Sequence, residues 1–83
     1  MKERILFDLA PGWALGCDKS QWMVMRRFGK PGKEQWVSQA YIGGSKTTLV
    51  RVINELGITP IPEAWGKIAA LPETFLKWRQ IHF

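Results

Sequence analysis

The chain has little of what catalytic, metal-binding and secreted proteins draw on. Of its 83 residues one is cysteine and one is histidine. A lone Cys17 excludes an intramolecular disulfide, which points away from a stapled secreted scaffold and toward a reducing, cytoplasmic setting. A zinc site lacks ligands, and a thiol nucleophile lacks a base, because His82 lies beside the chain end, where fraying is expected. Cys17 reads instead as a small, half-buried strand residue. No run of about 18 apolar residues is present, so no membrane span is expected. Asp8 and Pro11 interrupt the opening Met1 to Phe7 segment too early for a signal peptide. The acidic residues Glu3, Asp8, Asp18, Glu34, Glu55, Glu63 and Glu73 are dispersed, with no acid/base or metal-ligand spacing among them. Neither a catalytic residue nor a cofactor is implied, and the chain is expected to be non-enzymatic.

What is plentiful is tryptophan, with five in the chain. A single 83-residue domain buries only about 60–65% of its unfolded surface, so rings that bury about 150–250 Å² each are first of all core material. Trp13, Trp22 and Trp36 fall in strand-like alternations, whereas Trp65 and Trp78 fall in a helical second half. Ile5 to Leu9 reads as extended and is closed by Pro11-Gly12, a turn pair in which Pro presets φ and Gly accepts a positive one. Trp13 to Cys17 and Gln21 to Phe28 follow, separated by Asp18-Lys19-Ser20. In the latter, Trp22, Val24, Arg26 and Phe28 point one way, and Gln21, Met23, Met25 and Arg27 the other. After the loop Gly29 to Lys33, Gln35 to Ile42 returns, with Trp36 on the face opposite Val37 and Tyr41.

The period then changes from two to about three and a half. Ser45 is an N-cap candidate, and Leu49, Val50, Val52, Ile53 and Leu56 form an apolar stripe ended by Gly57. Pro62 opens a shorter helix to about Ala70. Leu71-Pro72-Glu73-Thr74 repeats that opening for a third helix, whose Phe75, Leu76, Trp78 and Ile81 are expected to cover the sheet or the second helix. Glu63 and Glu73, each following a Pro, complement the positive helix ends. The predicted architecture is one α+β domain over residues 1–83. It is an antiparallel β-meander of three or four strands followed by two or three short helices packed on one face.

Gly43-Gly44-Ser45-Lys46-Thr47-Thr48 has the look of a phosphate loop before a helix. A Walker loop, however, needs Gly directly before Lys and another five residues earlier, where this chain has Ser45 and Ala40. Helix capping explains the segment, and a lesser role stays open in which Ser45, Lys46 and the first amides hold one backbone phosphate. The basic patch carries more weight. Net charge is +5, and Arg26, Arg27, Lys30 and Lys33 gather at one hairpin tip beside a single Glu34. Clustered cations on a protruding hairpin suit a nucleic-acid backbone. The alternative is that they only keep an edge hairpin soluble. A second reading from a different class is a protein-docking face made of Met23, Met25 and Tyr41, for a host or phage protein or a homodimer.

Several segments together carry a resemblance: Trp36-Val37-Ser38, Ile42-Gly43-Gly44-Ser45-Lys46, Leu49-Val50-Arg51, Gly57-Ile58, Pro62-Glu63-Ala64 and Leu71-Pro72-Glu73-Thr74-Phe75. They resemble small uncharacterised proteins encoded in phages and prophages, over about half the chain. Those residues are caps, turns and core positions, so the resemblance implies a genomic setting and an accessory factor that binds host or phage macromolecules, including inhibitors of host defence. It transfers no functional residue. In layout alone the chain also resembles small DNA-binding domains of the integrase-arm and AP2 type, which lay a meander into the major groove. That would turn Gln21, Met23, Met25 and Arg27, with Gln35, Gln39 and Tyr41, toward the bases.

Overall fold

A computed structural model describes residues 4–82. Four strands, β1 (Arg4–Ala10), β2 (Trp13–Cys17), β3 (Trp22–Phe28) and β4 (Gln35–Ile42), precede three helices, α1 (Lys46–Glu55), α2 (Pro62–Ala70) and α3 (Phe75–His82). The strands pair antiparallel in the order β1-β2-β3-β4, the expected meander. Local chemistry sets each corner. Gly12 takes φ 79° in the β1–β2 turn. In the next turn the Asp18 carboxylate accepts from the amides of Ser20 at 2.7 Å and Gln21 at 3.0 Å, an Asx-type closure that replaces strand hydrogen bonds. Slight desolvation of Asp18 opposes its ionisation, but these amides and the Gln21 side chain outweigh it and hold its carboxyl below the usual value.

Ser45 caps α1 as expected, its hydroxyl accepting from the Thr48 amide at 3.3 Å. Gly57, at φ 74°, ends α1. The Ile58 amide reaches back to the Ile53 carbonyl at 3.2 Å and the Gly57 amide to Asn54 at 3.1 Å, the two bonds of a Schellman ending. Pro62 occupies the first turn of α2. Pro72 does not do the same for α3. That helix begins at Phe75, and Thr74 caps it by accepting from the Lys77 amide at 3.2 Å.

One face of the sheet carries Leu15, Cys17, Trp22, Val24 and Ile42 into a core completed by Leu49 and Ile53 of α1, Ala64 and Ile68 of α2, and Phe75 and Trp78 of α3. Trp22 is its centre, edge-on to Phe75 at 5.5 Å and to Trp78 at 6.4 Å. The tryptophans divide: Trp22 and Trp78 are buried, Trp13 and Trp36 half-buried, and Trp65 exposed. Only half of the expected α3 stripe is covered, since Leu76 and Ile81 face outward.

Two expectations about side-chain direction are corrected. A register shift between Val24 and Met25 inserts an extra residue into β4, so that Tyr41 pairs with Met23 and Trp36 with Arg27. Met23 and Arg27 lie four residues apart on one face, and the bulge therefore puts Trp36 and Tyr41 together instead of on opposite sides. Met23 and Met25 are also not exposed; each is 1% accessible. Gly16 on β2 leaves room for Met25, whose sulfur would lie 2.6 Å from any Cβ at that position. The Met23 sulfur accepts from the Ser38 hydroxyl at 3.3 Å. Flexible thioethers thus fill the non-helical face of the sheet instead of presenting it.

Cys17 is fully buried, not half-buried. Burial pushes its thiol above the ordinary value, and the Arg4 guanidinium pulls the other way without prevailing. A thiol reagent at neutral pH is therefore expected to leave the folded protein unmodified over times in which denatured chain reacts fully. Modification at equal rates in both states would contradict this placement.

Candidate nucleic-acid interface

The hairpin between β3 and β4 is built to display cations. Lys30-Pro31-Gly32-Lys33 forms a tight turn closed by the Lys33 amide on the Lys30 carbonyl at 2.8 Å. With Pro31 second and Gly32 third at φ 85°, this is a type II turn, which fixes its two end residues within about 7 Å of each other. Both ends are lysines. Gly29 at φ 111° makes the approach possible, because a Cβ there would stand 2.6 Å from the Lys33 carbonyl oxygen.

Behind the turn the two arginines leave opposite faces of β3, and each lies on an aromatic ring. Arg26 pairs across the strands with Trp13 and has Phe28 two residues on along the same face. Its guanidinium carbon sits 5.3 Å from the Trp13 centroid and 5.1 Å from that of Phe28. Arg27 pairs with Trp36 and lies 5.8 Å over its ring. Such cation–π contacts contribute about 0.5–1 kcal/mol each at exposed sites, and they restrict side chains that are otherwise rich in rotamers. A guanidinium lying on a ring keeps its N–H groups at the perimeter for phosphate or base oxygens.

No carboxylate stands within ion-pair distance of Arg26, Arg27, Lys30 or Lys33 among the described residues, and all four side chains are exposed. Four positive charges therefore face solvent at one corner of the sheet. Counterion release on contact with phosphates draws on such uncompensated charge.

Ser45 and Lys46 belong elsewhere. They follow the far end of β4, whose eight residues span about 25 Å of strand. The Lys46 ammonium donates to the carbonyls of Ala69 at 3.1 Å and Leu71 at 2.9 Å, and faces the Glu73 carboxylate at 3.6 Å. Its backbone amide donates to the Glu73 carbonyl at 2.8 Å. The segment ties the end of α2 to the start of α1, and its cation and first amide are already engaged. The docking face of Met23, Met25 and Tyr41 is not assembled either, since only Tyr41 is exposed. With both methionines buried, the sheet-in-groove surface also loses its centre.

Among the described residues, no three His, Cys, Asp or Glu side chains converge as metal ligands do, and no helix is long and apolar enough to cross a membrane. His82 stacks on Trp78 at 4.6 Å. The four hairpin cations are legible in the sequence, but most of their ring partners are not. The signal for Phe28 was available in its two-residue spacing from Arg26, whereas Trp13 and Trp36 are cross-strand neighbours that only the register reveals. In comparisons with known proteins, no family model, no curated protein and no solved structure matches the chain.

Proposed function

We propose that this chain is a non-enzymatic module that binds nucleic acid through backbone contacts of Arg26, Arg27, Lys30 and Lys33. Its setting is that of a phage or prophage accessory protein, as the sequence resemblance implies. The observation that carries the reading is the set of four exposed, carboxylate-free cations at one corner, two at the ends of a rigid turn and two laid on aromatic rings. Charges that keep a hairpin soluble have no need of ring supports. Restricting the arginines beforehand reduces the entropy lost on binding, and a binding surface benefits from that.

The test is a fluorescence-anisotropy titration of labelled duplex and single-stranded oligonucleotides at two salt concentrations. Four phosphate contacts give a slope of log K against log salt of about −3.6 on duplex and about −2.8 on single strands. Affinity is then expected to fall about 50- to 150-fold between roughly 50 and roughly 200 mM salt. No binding at low salt, or binding indifferent to salt, would reject the reading; the latter would point to a docking function instead.

A further inference from the structure

Beside the cationic hairpin lies a cavity of about 290 Å³, where the β1–β2 turn meets the Arg27 side of β3 and β4; Asp8, Gly12, Arg27, Trp36 and Ile61 line it. Its chemistry differs from that of the surrounding surface. One wall is flat, made of the Trp36 indole with the Arg27 guanidinium over it at 5.8 Å. Ile61 adds apolar area, and Gly12 brings backbone to the rim without a side chain. Asp8 and Arg27 line the same space and yet form no ion pair. An acceptor and a donor group thus border one small slot without satisfying each other.

We infer that this cavity is a nucleobase pocket that takes an unpaired guanine, an assignment that rests on the nucleic-acid reading above. The volume lies at the small end of ligand sites, which suits one heterocycle. A paired base has its Watson–Crick edge occupied and its faces stacked, so the ligand is a single-stranded or looped nucleotide; such bases are recognised by stacking on aromatic rings or guanidinium planes and by hydrogen bonds to their exposed edges. The Asp8 carboxylate only accepts hydrogen bonds. Guanine presents two adjacent donors, the ring N1–H and the exocyclic amine, which match the two oxygens of a carboxylate. Adenine and cytosine place an acceptor nitrogen beside their amine, which the carboxylate repels, and uracil and thymine offer one N–H between two carbonyls. Arg27 remains available to oxygens of the same nucleotide, and Lys30 and Lys33 to flanking phosphates.

The probe is an oligouridine strand carrying one central guanosine, compared with strands carrying adenosine, cytidine or uridine there, with DNA counterparts in parallel. Wild-type protein is expected to prefer the guanosine strand by about tenfold, the discrimination typical of one bidentate base contact. Asp8 is exposed, so Asp8→Asn folds; it should abolish the preference while salt-dependent binding to every strand persists. Equal binding of all four strands by wild type, or a guanosine preference that survives Asp8→Asn, would overturn the pocket and leave the backbone reading standing. Absence of salt-dependent binding to any strand would overturn both.

Discussion

Truncating Trp22 to alanine is expected to lower the unfolding free energy by about 3–5 kcal/mol, the range for large aromatics cut back to a methyl in a packed core. The side chain is wholly inaccessible and meets both α3 aromatics, Phe75 and Trp78, so β3 and α3 lose two shared ring contacts at once. Domains hold about 0.05–0.15 kcal/mol per residue, which makes the loss a large part of the total here. In thermal unfolding the midpoint should fall on the order of 20 °C. Trp22→Phe should behave differently. The indole Nε1 is buried and has no hydrogen-bond partner among the described residues, a condition that itself disfavours the fold by about 1–3 kcal/mol. Phenylalanine removes that donor and keeps an aromatic ring, so relief of the unsatisfied N–H offsets part of the smaller cavity it leaves, and its loss should be well below that of alanine. Equal losses for the two variants would mean that Trp22 is not the packed centre described.

The second large effect concerns binding. Replacing Arg26, Arg27, Lys30 and Lys33 together with alanine is expected to weaken oligonucleotide binding about 100-fold or more at low salt and to flatten the salt dependence by about one unit of slope per cation removed. The fold should survive. All four residues are exposed, and the ring contacts of the arginines contribute little to stability at such sites. The turn is held by Gly29, Pro31 and Gly32, which the variant retains. A circular dichroism melt close to that of wild type, measured beside the titration, separates loss of a contact surface from loss of structure.

The meander was legible because its corners are written in residues with fixed backbone preferences: Pro11-Gly12, Asp18 and Pro31-Gly32. The helices were legible because the apolar period changes after Gly44 and because Ser45 and Gly57 mark both ends of α1. Bulges were not legible. Register shifts in β1, between Ile5 and Phe7 and between Asp8 and Ala10, and in β4 opposite Val24 and Met25 depend on pairing partners, and one extra residue reverses every later side chain. Strict alternation therefore misplaced Tyr41 relative to Trp36. Met23 and Met25 read as exposed because nothing local shows that Gly16, across the sheet, makes room for a sulfur. The part of Lys46 in tying α2 to α1 was hidden for a similar reason, since its carbonyl partners lie 23 and 25 residues away. The four hairpin cations, in contrast, lie within eight consecutive residues, and short-range turn chemistry alone brings them together.

Charge placement, not total charge, is expected to produce binding. It is tested most directly by comparing two variants of equal net charge, each lacking four cations: the hairpin variant, and one in which exposed Lys19, Arg51, Lys77 and Arg79 become alanine. The body variant should retain most of the wild-type affinity and salt slope while the hairpin variant loses both. Equal losses in the two would show that diffuse positive charge attracts the polyanion and would contradict the assignment of the β3–β4 hairpin as the binding surface.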